Sequence, residues 1–183
     1  MKLFPTDEIM GKNGLFWQYP VITEKTFYLQ NKNDENYIGF PWATVIDKRY
    51  DLKKVNNMII PFIDKTQKYY TCCQQIAFRK LIPLFKHLCI NKVYVSHKIL
   101  NENKLDDIEL MACPLYAVNV EDNHRNSSFK ELEVDYLNKK RELLYSFQGA
   151  FNPKCYLTDI RNRIFKMTNP ENCYVNKIEN WHF

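Results

Sequence analysis

The sequence has no long hydrophobic run and very little glycine. No window reaches the ~20 apolar residues that a membrane span needs, and the longest uncharged run, from Leu110 to Val120, is about half that length and contains Pro114. We therefore expect no membrane span. The four glycines form none of the glycine-rich motifs that cradle phosphate groups, so a P-loop and a dinucleotide-binding fingerprint are both excluded.

Paired cysteine motifs and a secretory signal are missing as well. The six cysteines include the neighbours Cys72 and Cys73 but no C-x-x-C knuckle, which argues against a zinc site. Isolated cysteines in apolar runs usually behave as small buried hydrophobic residues, and we expect this here. No apolar stretch follows Met1, so we expect a cytoplasmic location. We also expect no tightly bound cofactor, and the sequence leaves dependence on a divalent metal open.

Charge of one sign is only mildly in excess. Lysine and arginine number 26 against 21 aspartates and glutamates, which gives a net charge of +5. This excess favours anionic ligands, but the basic residues are scattered and the densest group, residues 139–141, precedes an apolar run. We therefore do not expect nucleic-acid binding. The apolar fraction of 45% over 183 residues is enough for one domain with its own core.

What the sequence does have is an alternation of strand and helix patterns. Apolar runs of strand length occupy residues 69–73, 92–96, 108–111, 115–120, 142–147 and 173–178, and the aromatic run 26–30 also favours a strand. Helical spacing occupies residues 51–65, with a break near Pro61, residues 76–89, with Pro83 as a possible start, and residues 156–167. The alternation predicts an α/β core over residues 51–183 with a largely parallel sheet flanked by helices, after an irregular aromatic-rich lead-in over residues 1–50. We expect a single domain over residues 1–183.

Polar residues follow several of the predicted strands. Ligands of parallel sheets bind beyond the carboxyl ends of the strands, so we expect these residues to share one edge. His97 ends one strand, while Glu121, Asp122 and His124 follow another, and a carboxylate or imidazole there could take a proton from a hydroxyl group. A surface loop, or a histidine hydrogen-bonded at a strand end, is the competing interpretation.

Two further places fit an anionic or polar ligand. Gln148 and Gly149 follow the strand at residues 142–147, and Arg161 lies in the helix that comes next. A guanidinium near a helix start can hold an anion, although a solvated helix face is the commoner reason for an arginine there.

The order of these segments resembles a known enzyme family. The segments are Tyr70-Thr71-Cys72-Cys73-Gln74, then Phe78-Arg79-Lys80-Leu81-Ile82-Pro83, Val93-Tyr94-Val95-Ser96-His97, Pro114-Leu115-Tyr116-Ala117-Val118-Asn119-Val120-Glu121-Asp122, Arg141 to Ala150, and a helix with Asp159-Ile160-Arg161. Over residues 57–183 this order is similar to the exostosin-like glycosyltransferases, and the chain looks more like their bacterial or large-virus members.

The resemblance implies a fold and a reaction. The family has two Rossmann-like halves, the GT-B arrangement, of which the first holds the acceptor and the second grips the donor. The chain would then be the Rossmann-like, acceptor-side half of an inverting enzyme that moves a sugar from a nucleotide sugar, usually a UDP-sugar, to a glycan hydroxyl. The donor would need a carboxyl-terminal domain or a partner chain, because the sequence has no counterpart of the family's second half. The alternative is a non-catalytic glycan- or protein-binding module of the same fold.

The resemblance also suggests roles for individual residues. Asp122 or Glu121 would act as the base, with His97 next. The other residues expected to contact substrate are Asn119, His124, Arg125, Gln148, Gly149, Arg161 and Trp181, with Trp181 as an apolar platform for a sugar ring.

Overall fold

Strands and helices alternate along the part of the chain that the computed structural model describes, residues 3–117, 140–153, 156 and 158–178. The helices are α1 (Thr6–Asn13), α2 (Thr23–Asn31), α3 (Trp42–Asp47), α4 (Leu52–Ile59), α5 (Ile82–His87) and α6 (Ile160–Lys166), with short 3₁₀ turns at Ile60–Phe62 and Phe78–Leu81. The strands are β1 (Tyr69–Cys73), β2 (Ile90–Val95), β3 (Lys104–Leu105), β4 (Ile108–Ala112), β5 (Tyr145–Gly149) and β6 (Cys173–Lys177). Two compact units, residues 1–130 and 131–183, contain these elements.

The first unit is built on a four-stranded sheet with the order β1-β2-β4-β3. β1, β2 and β4 are parallel, and the two-residue β3 pairs antiparallel with β4. The prediction of a mostly parallel sheet flanked by helices is therefore confirmed. The register places Cys73, Val95 and Ala112 side by side, so the carboxyl ends of the three parallel strands meet at one edge.

Helix α2 covers one face of this sheet with aromatic rings. Side chains alternate between the two faces of a strand, so Tyr70 of β1 and Tyr94 of β2 point to the same side. Phe27 of α2 packs against Tyr94 with ring centroids 4.8 Å apart, and Tyr37 packs against Tyr70 at 5.2 Å. The prediction of a strand over residues 26–30 is wrong, because these rings meet the sheet from a helix.

The opposite face carries the main core. Trp42 of α3 is fully buried, and its ring meets that of Phe85 in α5 at 4.9 Å. The Trp42 indole Nε1 donates a hydrogen bond to Thr71 Oγ1 at 2.7 Å, which satisfies a polar group that burial would otherwise leave unpaired. Thr71 in turn donates to the carbonyl of Ile38 at 2.6 Å. The segment between α2 and α3 is thus fixed to the sheet.

Residues 1–50 are not an irregular lead-in, because they include α1, α2 and α3 and contribute much of the core. Isolated helices of eight or nine residues are marginal in water, so packing decides their conformation. Neither α1 nor α2 has a side-chain cap at its start. Gly39 illustrates the packing: a Cβ atom there would lie 2.6 Å from Tyr28 Cδ2 and 3.0 Å from Thr6 Oγ1.

The later helices begin or break at capping and proline residues. Asp51 caps α4 by accepting a hydrogen bond from the Lys53 backbone N–H at 2.8 Å. The chain then changes to a 3₁₀ turn that contains Pro61, as the predicted break requires. Pro83 lies in the first turn of α5, where its missing N–H costs no hydrogen bond. Among the described residues, no helix has the length and apolar character to cross a membrane.

The second unit is a β-α-β unit. β5 and β6 pair in parallel from Tyr145 opposite Cys173 to Gly149 opposite Lys177, and α6 lies between them in sequence. Phe147 of β5 packs against Phe165 of α6 at 5.4 Å. Of the residues that the structure describes in this unit, Gly149 and Ala150 are the buried ones. The prediction of a single domain over residues 1–183 stays a prediction.

Candidate functional site

The candidate site is the carboxyl edge of the sheet in the first unit. Gln74, Ser96 and Cys113 each follow the last residue of a parallel strand, and the Cys113 N–H donates to the Val95 carbonyl at 3.0 Å. The oxygen Oγ of Ser96 is buried without a hydrogen-bond partner among the described residues. Polar groups from three strands therefore collect at one edge, which is where open parallel sheets bind ligands.

His97 lies at this edge, as predicted, and is half-buried. Burial lowers the pKa of its imidazole below the usual 6.5, against a hydrogen bond to the Gln74 backbone that acts to raise it. The imidazole is therefore neutral at pH 7. In a neutral imidazole one ring nitrogen carries a hydrogen and the other has a lone pair that can accept a proton.

Glu24, which sequence reasoning missed, lies beneath this edge. It is 2% exposed, and its carboxyl oxygens accept hydrogen bonds from the backbone N–H groups of Gln74 at 3.0 Å and Ala43 at 3.1 Å. Burial raises the pKa of the Glu24 carboxyl to about 8, although these two donors and the Cys73 thiol act to lower it. One side chain thus connects α2, α3 and the end of β1.

Gln74 completes this connection from the strand side. Its side-chain oxygen accepts from the Glu24 backbone N–H at 3.0 Å, and its Nε2 donates to the Val21 carbonyl at 2.8 Å. Both ends of the amide are therefore occupied by the start of α2. These contacts fix Gln74, which lies next to His97 at this edge, to the start of α2.

Two thiols meet at the same edge. Cys72 is buried in β1 and Cys113 is half-buried after β4, and both are free thiols. A hydrogen bond between their side chains lowers the pKa of the Cys113 thiol, with burial opposing, and raises the pKa of Cys72. The expectation that the cysteines behave as buried hydrophobic residues holds for Cys72 and Cys73 and is wrong for Cys89, Cys113 and Cys173, which are only partly buried.

Gln148, Gly149 and Arg161 come together in the second unit, at the end of β5. The Arg161 Nη1 group donates to the Ala150 carbonyl at 3.1 Å, and its guanidinium lies 4.3 Å from the centre of the Tyr156 ring. A Cβ atom at Gly149 would lie 2.9 Å from Arg161 Nη1, so glycine makes room for the arginine. Arg161 has a packing role here.

The strands that these residues follow belong to two sheets, where one was expected. β5 pairs with β6 in a sheet of its own, whereas His97 follows a strand of the four-stranded sheet. The predicted strand at residues 115–120 is absent from that sheet over its described part, where Ala117 forms a single bridge with Val21. Six predicted site residues lie outside the described residues: Asn119, Glu121, Asp122, His124, Arg125 and Trp181.

No protein-family model, curated protein or solved structure matches this chain. Within residues 3–117, 140–153 and 158–178, no group of three His, Cys, Asp or Glu side chains is arranged to hold a metal ion.

Proposed function

We propose that the chain is the acceptor-side, Rossmann-like half of a GT-B glycosyltransferase, which helps to move a sugar from a nucleotide sugar to a glycan hydroxyl with inversion. One observation carries the proposal most directly: a half-buried imidazole that is neutral at pH 7 lies at the carboxyl edge of a parallel sheet. An inverting transfer needs a base for the attacking hydroxyl, and a neutral imidazole is well suited to that task at pH 7.

His97 takes this role in the proposal. The lone pair of its neutral imidazole accepts the proton of the acceptor hydroxyl as the hydroxyl oxygen attacks the donor sugar. The nucleotide diphosphate leaves with the bonding electron pair. Donor contacts and stabilisation of the diphosphate belong to a further domain or partner chain. Asp122 and Glu121 are the competing candidates for the base.

The test uses the product of the native gene, a panel of labelled nucleotide sugars and a panel of glycan acceptors. His97→Gln should lower the rate of transfer by a factor of about 100 or more, because the hydroxyl loses its base. His87→Gln is the matched control, since His87 is exposed at the end of α5 and precedes the amino end of β2. It should transfer at the rate of the unchanged protein.

Asp122→Asn and Glu121→Gln are measured beside these variants. A loss of transfer in either one with full activity in His97→Gln would move the base to that carboxylate. No transfer to any acceptor, together with retained glycan binding, would support the non-catalytic module instead. Several polar groups at this edge, including both ends of the Gln74 amide, already make hydrogen bonds within the fold. Because these groups have a structural role, this observation favours the non-catalytic module.

A further inference from the structure

A second group of polar side chains lies at the same carboxyl edge, beginning one residue beyond Gln74. Asp47, the last residue of α3, accepts hydrogen bonds from the side-chain amides of Gln18 and Gln75, the latter at 2.6 Å. The Gln75 side-chain oxygen is itself fixed by the Ala77 backbone N–H at 2.5 Å. We call Gln18, Asp47 and Gln75 the Asp47 network.

Aromatic residues flank Gln18 of the Asp47 network in the chain. Thr44 Oγ1 donates to the Phe16 carbonyl at 2.7 Å, which holds the Phe16 backbone against α3 one turn before Asp47. Trp17 is anchored by stacking on Tyr28 at 5.4 Å between ring centroids. The Phe16 side chain is 47% exposed and that of Tyr19 is 57% exposed. The segment that supplies Gln18 to the network thus also carries two exposed aromatic side chains.

This combination has the chemistry of a sugar site. Each carboxylate oxygen of Asp47 can accept a second hydrogen bond, and each glutamine amide has a second N–H to donate. Neighbouring sugar hydroxyls can donate to the Asp47 carboxylate and accept from the glutamine amides, while the C–H face of the sugar ring packs on an aromatic side chain. Hydrogen bonds of exposed side chains add little to stability, but fixing these groups in advance lowers the entropy lost on binding.

Other ligand classes fit this network less well. The negative charge of Asp47 repels a phosphate group. A metal ion would need further carboxylate, thiolate or imidazole ligands, and no group of three is arranged to hold one in the part of the chain that the structure describes. A neutral sugar satisfies both the acceptor and the donor groups.

We propose that the Asp47 network and Phe16 form a subsite for a neutral sugar unit of the acceptor glycan. The identification of that glycan as an acceptor rests on the proposed function. Gln74 and Gln75 are consecutive, with Gln74 contacting His97 and Gln75 contacting Asp47, so one oligosaccharide can reach both groups. Asp47 binds hydroxyl groups and takes no proton in the reaction.

The test measures glycan binding by the full chain without a donor. An array of neutral oligosaccharides identifies the strongest binder, and calorimetry gives its dissociation constant. Asp47→Asn should weaken binding about tenfold, because charged hydrogen bonds become neutral ones in the same shape. Asp107→Asn is the matched control, since its side chain is 95% exposed in the turn between β3 and β4. It should change binding by less than about twofold.

The possible outcomes separate this subsite from the proposed transferase activity. No binding by any oligosaccharide, or unchanged binding in Asp47→Asn, would overturn the subsite. If circular dichroism shows that Asp47→Asn does not fold, Phe16→Ala is measured instead. It should weaken binding by the same factor, and unchanged binding in this variant would likewise overturn the subsite. Binding that needs Asp47, with no sugar transfer by the native product, supports the subsite and rejects the transferase. An unchanged KM for the acceptor in Asp47→Asn rejects the subsite and leaves the transferase standing.

Discussion

At the scale of single residues, Glu24 links the fold to the candidate site. Its buried carboxyl accepts a hydrogen bond from the backbone N–H of Gln74, which lies next to His97 at the carboxyl edge. Nothing in the sequence around Glu24 distinguishes it from a solvated helix residue, since it stands in the charged pair Glu24-Lys25 at the start of an aromatic segment. Its role depends on contacts with residues 19 and 50 positions away, and local patterns do not show such contacts.

Glu24 should make stability depend on pH. Its pKa is raised from 4.5 to about 8 in the folded protein, so the folded state holds a proton that the unfolded state has lost between these values. The free energy of unfolding should therefore fall as pH rises from 4.5 to 8, by at most about 1.4 kcal/mol per pH unit. Urea denaturation across this range measures the slope.

The variant Glu24→Gln should remove most of that slope, because glutamine does not titrate. Glu8→Gln is the control, since Glu8 is an exposed residue of α1 that pairs with Lys12 at 2.6 Å, and it should leave the slope in place. A slope of equal size in Glu24→Gln and the unchanged protein would show that another group causes it.

Cys113 should be the most reactive of the three described thiols at the carboxyl edge. It is half-buried with a lowered pKa, whereas Cys72 and Cys73 are buried with raised pKa values. The thiolate is the reactive form, so iodoacetamide at pH 7.5 should label Cys113 first. Peptide mass spectrometry at successive times measures the order in which the thiols are labelled. Labelling of Cys72 or Cys73 before Cys113 would contradict this order of thiol pKa values and exposure.

At the scale of elements, strands were easier to predict than helices. β1, β4 and β6 match their predicted runs closely because the apolar and β-branched residues of a strand form a local pattern that the sequence shows directly. α1 and α2 were missed because their stability comes from packing rather than from caps or periodicity. The sequence predicts the position of His97 because a strand precedes it. Asp47 ends α3, whose conformation depends on the packing of the core around Trp42, and local sequence does not show that packing.

Two glycines should report on that packing. Gly11 lies in α1 with no atom within 4 Å of an added Cβ, so Gly11→Ala should stabilise the protein by about 0.5–1 kcal/mol through helix propensity. Gly39→Ala places its Cβ 2.6 Å from the Tyr28 ring and should destabilise by about 1–3 kcal/mol. Thermal and urea unfolding measure both. A Gly39→Ala protein as stable as the parent would mean that α2 does not pack there.

At the scale of the whole molecule, the two units differ in burial. The first has a core of fully buried side chains that includes Trp42, Phe78 and Phe85, whereas the second has a two-stranded sheet and exposed apolar side chains such as Leu144 at 68%. A parallel pair without further strands is marginal on its own. The second unit is therefore the less stable part of the described chain.

Hydrogen exchange should show this difference. Backbone amides in β5 and β6 should exchange faster than those in β1 and β2, by on the order of a hundredfold, since little apolar surface opposes local opening of the second unit. Mass spectrometry or NMR at neutral pH measures the rates. Equal protection in the two sheets would mean that the second unit opens only when the whole protein unfolds.

We propose His97 as the base at an acceptor site, and the pH profile of sugar transfer by the product of the native gene tests this role most directly. The profile is compared between the unchanged protein, His97→Gln and His87→Gln. The unchanged protein and His87→Gln should show an acidic limb below pH 6.5, because burial lowers the pKa of His97. His97→Gln should lose both the limb and about 100-fold in rate. A profile and rate unchanged in His97→Gln would show that His97 is not the base.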